Sequence, residues 1–126
     1  MARKDKNVTD GELAVLDVLW RRGRSSVREI TGEVYAEQTF SKYQTVQKLL
    51  ERLENKRCVK RYRSTNAHTF EATVERSELI GHCLEQVAEK LCDGSLTPLL
   101  MHLASSTRLK PKERDSLRKI IDGQER

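Results

Sequence analysis

Gln44, Thr45, Gln47, Lys48 and Arg52 are the side chains best suited by type and spacing to touch a nucleic acid. Amides donate and accept at once, as base edges require, a hydroxyl can do either, and long cations reach phosphate or the acceptor edge of guanine. On a helix these five share one side, while Val46, Leu49, Leu50 and Leu53 recur at i, i+3, i+4 and i+7 on the other. An ordinary amphipathic surface helix would show the same two sides, so the surrounding elements must decide. The remaining reactive residues form no constellation. Cys58, Cys83, Cys92, His68, His82 and His102 have no zinc or copper spacing, and His82 and Cys83, the adjacent pair, point about 100° apart on a helix. A glycine-rich phosphate loop, G-x-S-x-G and H-E-x-x-H are all absent. The expectation is a protein that is not an enzyme and holds no metal or cofactor.

A chain of 126 residues, 37% of them apolar, fits one domain or a small domain with an appended oligomerisation segment. It contains no run of eighteen apolar residues, and its charged N-terminus lacks the apolar stretch of a signal peptide. A cytoplasmic protein without membrane insertion is therefore expected. Three widely spaced cysteines argue for reduced thiols rather than a disulfide scaffold. Charge is unevenly placed: residues 1–63 hold fifteen Lys/Arg against nine Asp/Glu, or +6, and residues 64–126 hold nine against ten, or −1. Such asymmetry points to a polyanion partner for the first half, although a solvated basic surface also produces it.

The elements that would position the five side chains follow from caps and periodicity. Residues 1–7 read as a mobile arm. Thr9 or Asp10 caps a helix over about 10–22, with Trp20 as a core plug and Gly23 beyond its end. Ser25 or Ser26 opens a second helix that ends near Glu37. The third covers Ser41 to Val59, with Ser41 as N-cap and Gln44 completing a capping box. Val59–Ser64 and Thr69–Val74 then form a hairpin around a turn at Thr65 to His68. Three helices and a hairpin make a winged helix-turn-helix, a mainly α fold with a small β-hairpin, over residues 1–74. Lys56, Arg57, Lys60, Arg61 and Arg63 place five cations and no acid in eight residues leading to the wing tip. Arg61, Arg63 and His68 are the expected wing contacts, although a charge-protected edge strand would look similar.

Residues 75–126 form a helical region of a different kind. Leu84, Val87 and Leu91 continue one apolar stripe to Gly94, Leu96, Leu99, Leu100 and Leu103 form a second, and Leu117, Ile120 and Ile121 a third after Pro111. Such short, leucine-rich helices need a partner surface. The same region of a second chain is the expected one, making this a dimerisation domain, with folding back on the N-terminal domain as the alternative.

VTDGELAVLDVLW at residues 8–20 and TVQKLLERLENK at 45–56 look like a first helix and a recognition helix, and DGSLTPLLMHL at 93–103 and LKPKERDSLRKIID at 109–122 like C-terminal helices, of one family. From Val8 to Asp122 the chain resembles the penicillinase and methicillin-resistance repressors, a family that also includes copper-responsive repressors. The resemblance implies a homodimeric DNA-binding transcriptional repressor that binds a pseudo-palindromic operator in double-stranded DNA. The family's reading positions fall on Gln44, Thr45, Gln47, Lys48 and Arg52, of which Thr45 and Arg52 match. Ser41 stands where relatives have tryptophan, and Lys56–Arg57 replaces the Lys-Gly that ends their helix. Antibiotic-responsive relatives are released when a sensor-linked protease cuts an Asn–Phe bond, which corresponds here to His102–Leu103. Neither residue matches, and the Cys-x-Cys pairs of copper-responsive relatives are absent. A winged-helix protein-interaction module without specific DNA binding is the alternative function, and an RNA-binding role a third.

Overall fold

A computed structural model of the chain describes residues 7–124, so the arm expected at residues 1–7 lies, apart from Asn7, outside the described residues. Helix α1 (Asp10–Arg22) starts at a reciprocal box: Thr9 Oγ1 accepts the Glu12 amide at 3.3 Å, and the Glu12 carboxylate accepts the Thr9 amide at 2.9 Å. That satisfies two amides the helix start would otherwise leave unpaired, and it settles Thr9 over Asp10 as the cap. The helix stops at Gly23, whose φ of 86° is a conformation glycine adopts without a steric penalty. Ser26 and Glu29 repeat the box at α2 (Val27–Val34). This helix ends before Glu37 because Tyr35 is extended and Ala36, Glu37 and Gln38 are exposed, leaving a further turn nothing to bury.

Between α1 and α2, Ser25–Ser26 forms β1, which sequence periodicity had not suggested. It pairs antiparallel with β3 (Thr69–Ala72), opposite Phe70 and Thr69, while β2 (Val59–Tyr62) pairs on the other side of β3. The expected hairpin is thus two strands of a three-stranded sheet in the order β1-β3-β2, with strands ending at Tyr62 and Ala72 rather than Ser64 and Val74.

Helix α3 runs from Phe40 to Asn55, not from Ser41 to Val59. Thr39 is the cap, its Oγ1 accepting the Lys42 amide at 3.2 Å, so the expected box of Ser41 and Gln44 does not form. With the cap two residues earlier, the Tyr43 amide bonds the Thr39 carbonyl, and Tyr43 packs against the core. At the other end Arg57 turns left-handed, with φ 61°, and the Cys58 amide reaches back to the Leu53 carbonyl at 2.8 Å. That closing turn satisfies a terminal carbonyl and sends buried Val59 into the sheet. Arg57 therefore takes a conformation that glycine adopts more readily than a residue with a long side chain.

The apolar sides of these elements meet in one core: Val15, Leu16 and Leu19 from α1, Ile30 from α2, Val46, Leu50 and Leu53 from α3, and Phe70 from β3. Trp20 plugs its edge, half-buried, and donates its indole N–H to the Val74 carbonyl at 2.9 Å. A Cβ on Gly11 would stand 3.3 Å from Leu49, so α1 and α3 approach closely there. Val74 and Leu79 belong to the same core, so it extends into the start of α4 (Arg76–Leu91).

The chain divides into two compact units between Leu84 and Glu85, within α4. The second unit continues with α5 (Thr97–Ser106) and α6 (Pro111–Asp122), each with proline in its first turn. No described residue of α5 or α6 is buried, and Leu91 and Leu100 are 80% and 64% exposed. Among the described residues of this unit Ala88 on α4 is the one buried hydrophobic, so its apolar stripes are largely uncovered.

Candidate nucleic-acid interface

Burial of Val46, Leu49, Leu50 and Leu53 fixes the rotation of α3 and turns Gln44, Thr45, Gln47, Lys48 and Arg52 outward, all five exposed. Thr45 Oγ1 donates to the Ser41 carbonyl at 3.0 Å, which uses its proton and leaves its methyl and lone pairs facing out. Phe40, at the leading end of the same helix, is 75% exposed.

Beside this face runs a cleft of about 510 Å³ between α3 and the hairpin, lined by Gln47, Tyr43, Arg28, Arg61, Asn66 and His68 among others. The sequence had not marked Arg28 or Asn66 as contacts, because an exposed cation on the second helix and a turn asparagine carry no sign of the cleft that packing forms beside them. Glu51 also faces the cleft, an acid on an otherwise amide- and cation-bearing side. Arg24 was missed too: its guanidinium stacks 3.6 Å from the centroid of the Tyr62 ring, whose other neighbour is Lys60 at 5.1 Å. Lys60 and Arg63 are exposed, as a wing that meets a polyanion requires.

Two wing cations are engaged within the protein. Lys56, expected to lead toward the tip, instead donates to the fully buried Glu12 at 2.6 Å and to the Asn7 carbonyl at 2.8 Å. It is a core ion pair joining the end of α3 to the start of α1, so it is not one of the surface cations. Burial by itself would raise the Glu12 carboxyl. The hydrogen bond from Lys56, then the Thr9 amide and the charge on Lys56, outweigh it and hold the group below the ordinary carboxylate value. Arg61 donates from Nε and Nη2 to the two oxygens of Glu54 at 3.1 and 2.8 Å, and its Nη1 lies 2.9 Å from His68 Nδ1. The Glu54 bond raises the guanidinium above its usual value and keeps it charged.

Farther along, Asp17 accepts from Arg76 at 2.9 Å and Arg21 at 3.0 Å, and those bonds, Arg76 first, lower its carboxyl. Of the residues expected in the dimer surface, Leu84, Val87 and Leu91 lie on α4, Leu96 caps α5, which carries Leu99, Leu100 and Leu103, and Leu117, Ile120 and Ile121 lie on α6. All but Leu99, which is half-buried, are exposed. His102 and Leu103 sit inside α5, both exposed. Among the described residues no group of His, Cys, Asp and Glu could hold a metal, and no helix is long and apolar enough to cross a membrane.

The arrangement can present amides and a guanidinium to base edges and cations to phosphates on either side. Comparison with known proteins agrees. The chain matches the family described as penicillinase repressor over residues 8–123. It is 26% identical to a penicillinase repressor of Staphylococcus aureus, covering 97% of this chain and 96% of that one. It is 32% identical to the transcriptional regulator BlaI of Mycobacterium tuberculosis, over 89% of this chain and 80% of that one. Its fold matches the solution structure of the DNA binding domain of the repressor BlaI with a TM-score of 0.52 at 23% identity, over 62% of this chain and 93% of that one. The chain belongs to the penicillinase repressor family.

Proposed function

We propose that the protein is a DNA-binding transcriptional repressor that works in the cytoplasm as a homodimer on a pseudo-palindromic operator. The observation that carries this reading is the exposed side of α3, bearing Gln44, Thr45, Gln47, Lys48 and Arg52, next to the exposed wing cations Lys60 and Arg63. In the proposed complex α3 enters the major groove, Arg52 and Lys48 meet guanine or phosphate, and Gln44, Thr45 and Gln47 read base edges. Arg63 and His68 lie against the flanking backbone. The uncovered stripes of α4, α5 and α6 support dimerisation, because leucines such as Leu91 and Leu100 are left in water by the single chain. Two-fold symmetry then sets half-sites roughly 10 bp apart, centre to centre, or a multiple of that.

Release by a sensor-linked protease at His102–Leu103 belongs to the same proposal. That bond lies within hydrogen-bonded helix, with the His102 carbonyl accepting from Ser106 Oγ at 2.6 Å, so α5 must unwind locally before a protease can cut it.

Fluorescence anisotropy with a duplex selected by this protein from a random-sequence pool tests the reading. Six neutralised phosphates give a loss of affinity of roughly a thousandfold between 50 and 200 mM salt, with two chains bound per duplex. Binding insensitive to salt would overturn it.

A further inference from the structure

Arg61 has the sequence position of a phosphate contact but the geometry of a clasp. Its Nε and Nη2 grip both oxygens of Glu54, at the end of α3, while Nη1 reaches His68 across the hairpin, and its Cζ lies 4.9 Å from the centroid of the buried Phe70 ring. All three guanidinium nitrogens are thus bonded within the protein. A guanidinium only donates, so His68 Nδ1 must be the acceptor, and the ring proton of neutral His68 is left on Nε2, in a side chain that lines the cleft beside α3.

We propose that Arg61 is a positioning residue for DNA binding: it ties the wing to the recognition helix through Glu54 and sets His68 so that Nε2–H is its phosphate donor. The proposal rests on the DNA-binding reading above and assigns Arg61 a different role within it. A bidentate fork holds one geometry, whereas a free arginine on a strand samples many. Glu54 then has a purpose on a surface that meets a polyanion, where an acid would otherwise only repel.

Sign and slope separate the two roles. A phosphate contact adds about 0.9 to the slope of log affinity against log salt concentration. In anisotropy titrations with the selected duplex, Arg61→Ala is expected to weaken binding by about tenfold, the scale of one charge-assisted link, with the slope unchanged. Arg61→Lys should not restore it, because an ammonium cannot bridge Glu54 and His68 in one plane. Glu54→Ala is the deciding variant: it should also weaken binding, although it removes a negative charge from the DNA side, and circular dichroism should show the helix intact. Tighter binding or a steeper slope in Glu54→Ala, or a slope reduced by about 0.9 in Arg61→Ala, would show Arg61 to be a phosphate contact and overturn the clasp. Lys48→Ala and Arg63→Ala are the controls: if neither lowers the slope, the DNA reading itself has failed rather than the role of Arg61.

Discussion

Replacing Lys56 with methionine keeps an unbranched apolar stem and removes the ammonium, with its charge and its bonds to Glu12 and the Asn7 carbonyl. Glu12 is then left fully buried without the ion pair that, among the described residues, Lys56 supplies at 2.6 Å. Removing one partner of a buried pair costs about 3–5 kcal/mol. The Lys56 side chain is 20% exposed and the Thr9 amide stays bonded to Glu12, which places this site at about 3 kcal/mol, near the lower end of that range. For a unit of this size such a loss lowers the melting temperature by roughly 12 to 24 °C. Trp20 is the sole tryptophan and packs against this core, so its fluorescence during urea unfolding reports on the right unit. Adding Glu12→Gln, which keeps a capping-box acceptor but removes the stranded charge, should recover at least half of the loss. DNA affinity well below the transition should keep its salt slope. An unfolding midpoint unchanged by Lys56→Met, or a slope lower by about 0.9, would refute the core assignment and return Lys56 to the DNA face.

Leu50 is fully buried in the same core, and Leu50→Ala should cost about 2–5 kcal/mol through the cavity it leaves, measured by the same unfolding assay. Leu100→Asp puts a charge on the apolar stripe of α5 and should give monomers that hold DNA weakly; sedimentation still showing a dimer would refute the C-terminal interface. Acid should destabilise the N-terminal unit in a defined direction. The folded Glu12 carboxyl lies below its unfolded value, so its contribution is present above about pH 4.3 and is lost as pH falls through the folded value. Asp17, lowered by Arg76 and Arg21, adds in the same sense. Urea midpoints falling from pH 5 to pH 3, and less steeply in Glu12→Gln, are the expected outcome.

The features readable from sequence are those that declare themselves locally. Thr9 or Asp10 ahead of a helical repeat announces a helix start to within a residue, and the 3.6-residue repeat of Val46, Leu49, Leu50 and Leu53 fixes which side of α3 is buried, and hence which five side chains face out. What was not legible depends on distant partners or on single dihedral angles. A two-residue strand such as Ser25–Ser26 has no periodicity, and it exists only because β3 passes beside it. Lys56 finds Glu12 forty-four positions away, so charge counting placed it with the wing cations. Thr39 and Ser41 are both good caps, and residue type alone does not tell them apart. The left-handed turn at Arg57 carries no sign in its residue type, because a side chain that long seldom adopts it.

The central claim is that the outward side of α3 reads DNA, and Arg52 tests it most directly because it is exposed and contributes nothing to the core. The measurement is the affinity of Arg52→Ala for the selected duplex beside that of the unaltered protein, at matched salt, with the Trp20 unfolding curve as a control. A drop of about tenfold or more, the worth of a good bidentate base contact, with unfolding unchanged is the predicted result. Equal affinity would contradict the account.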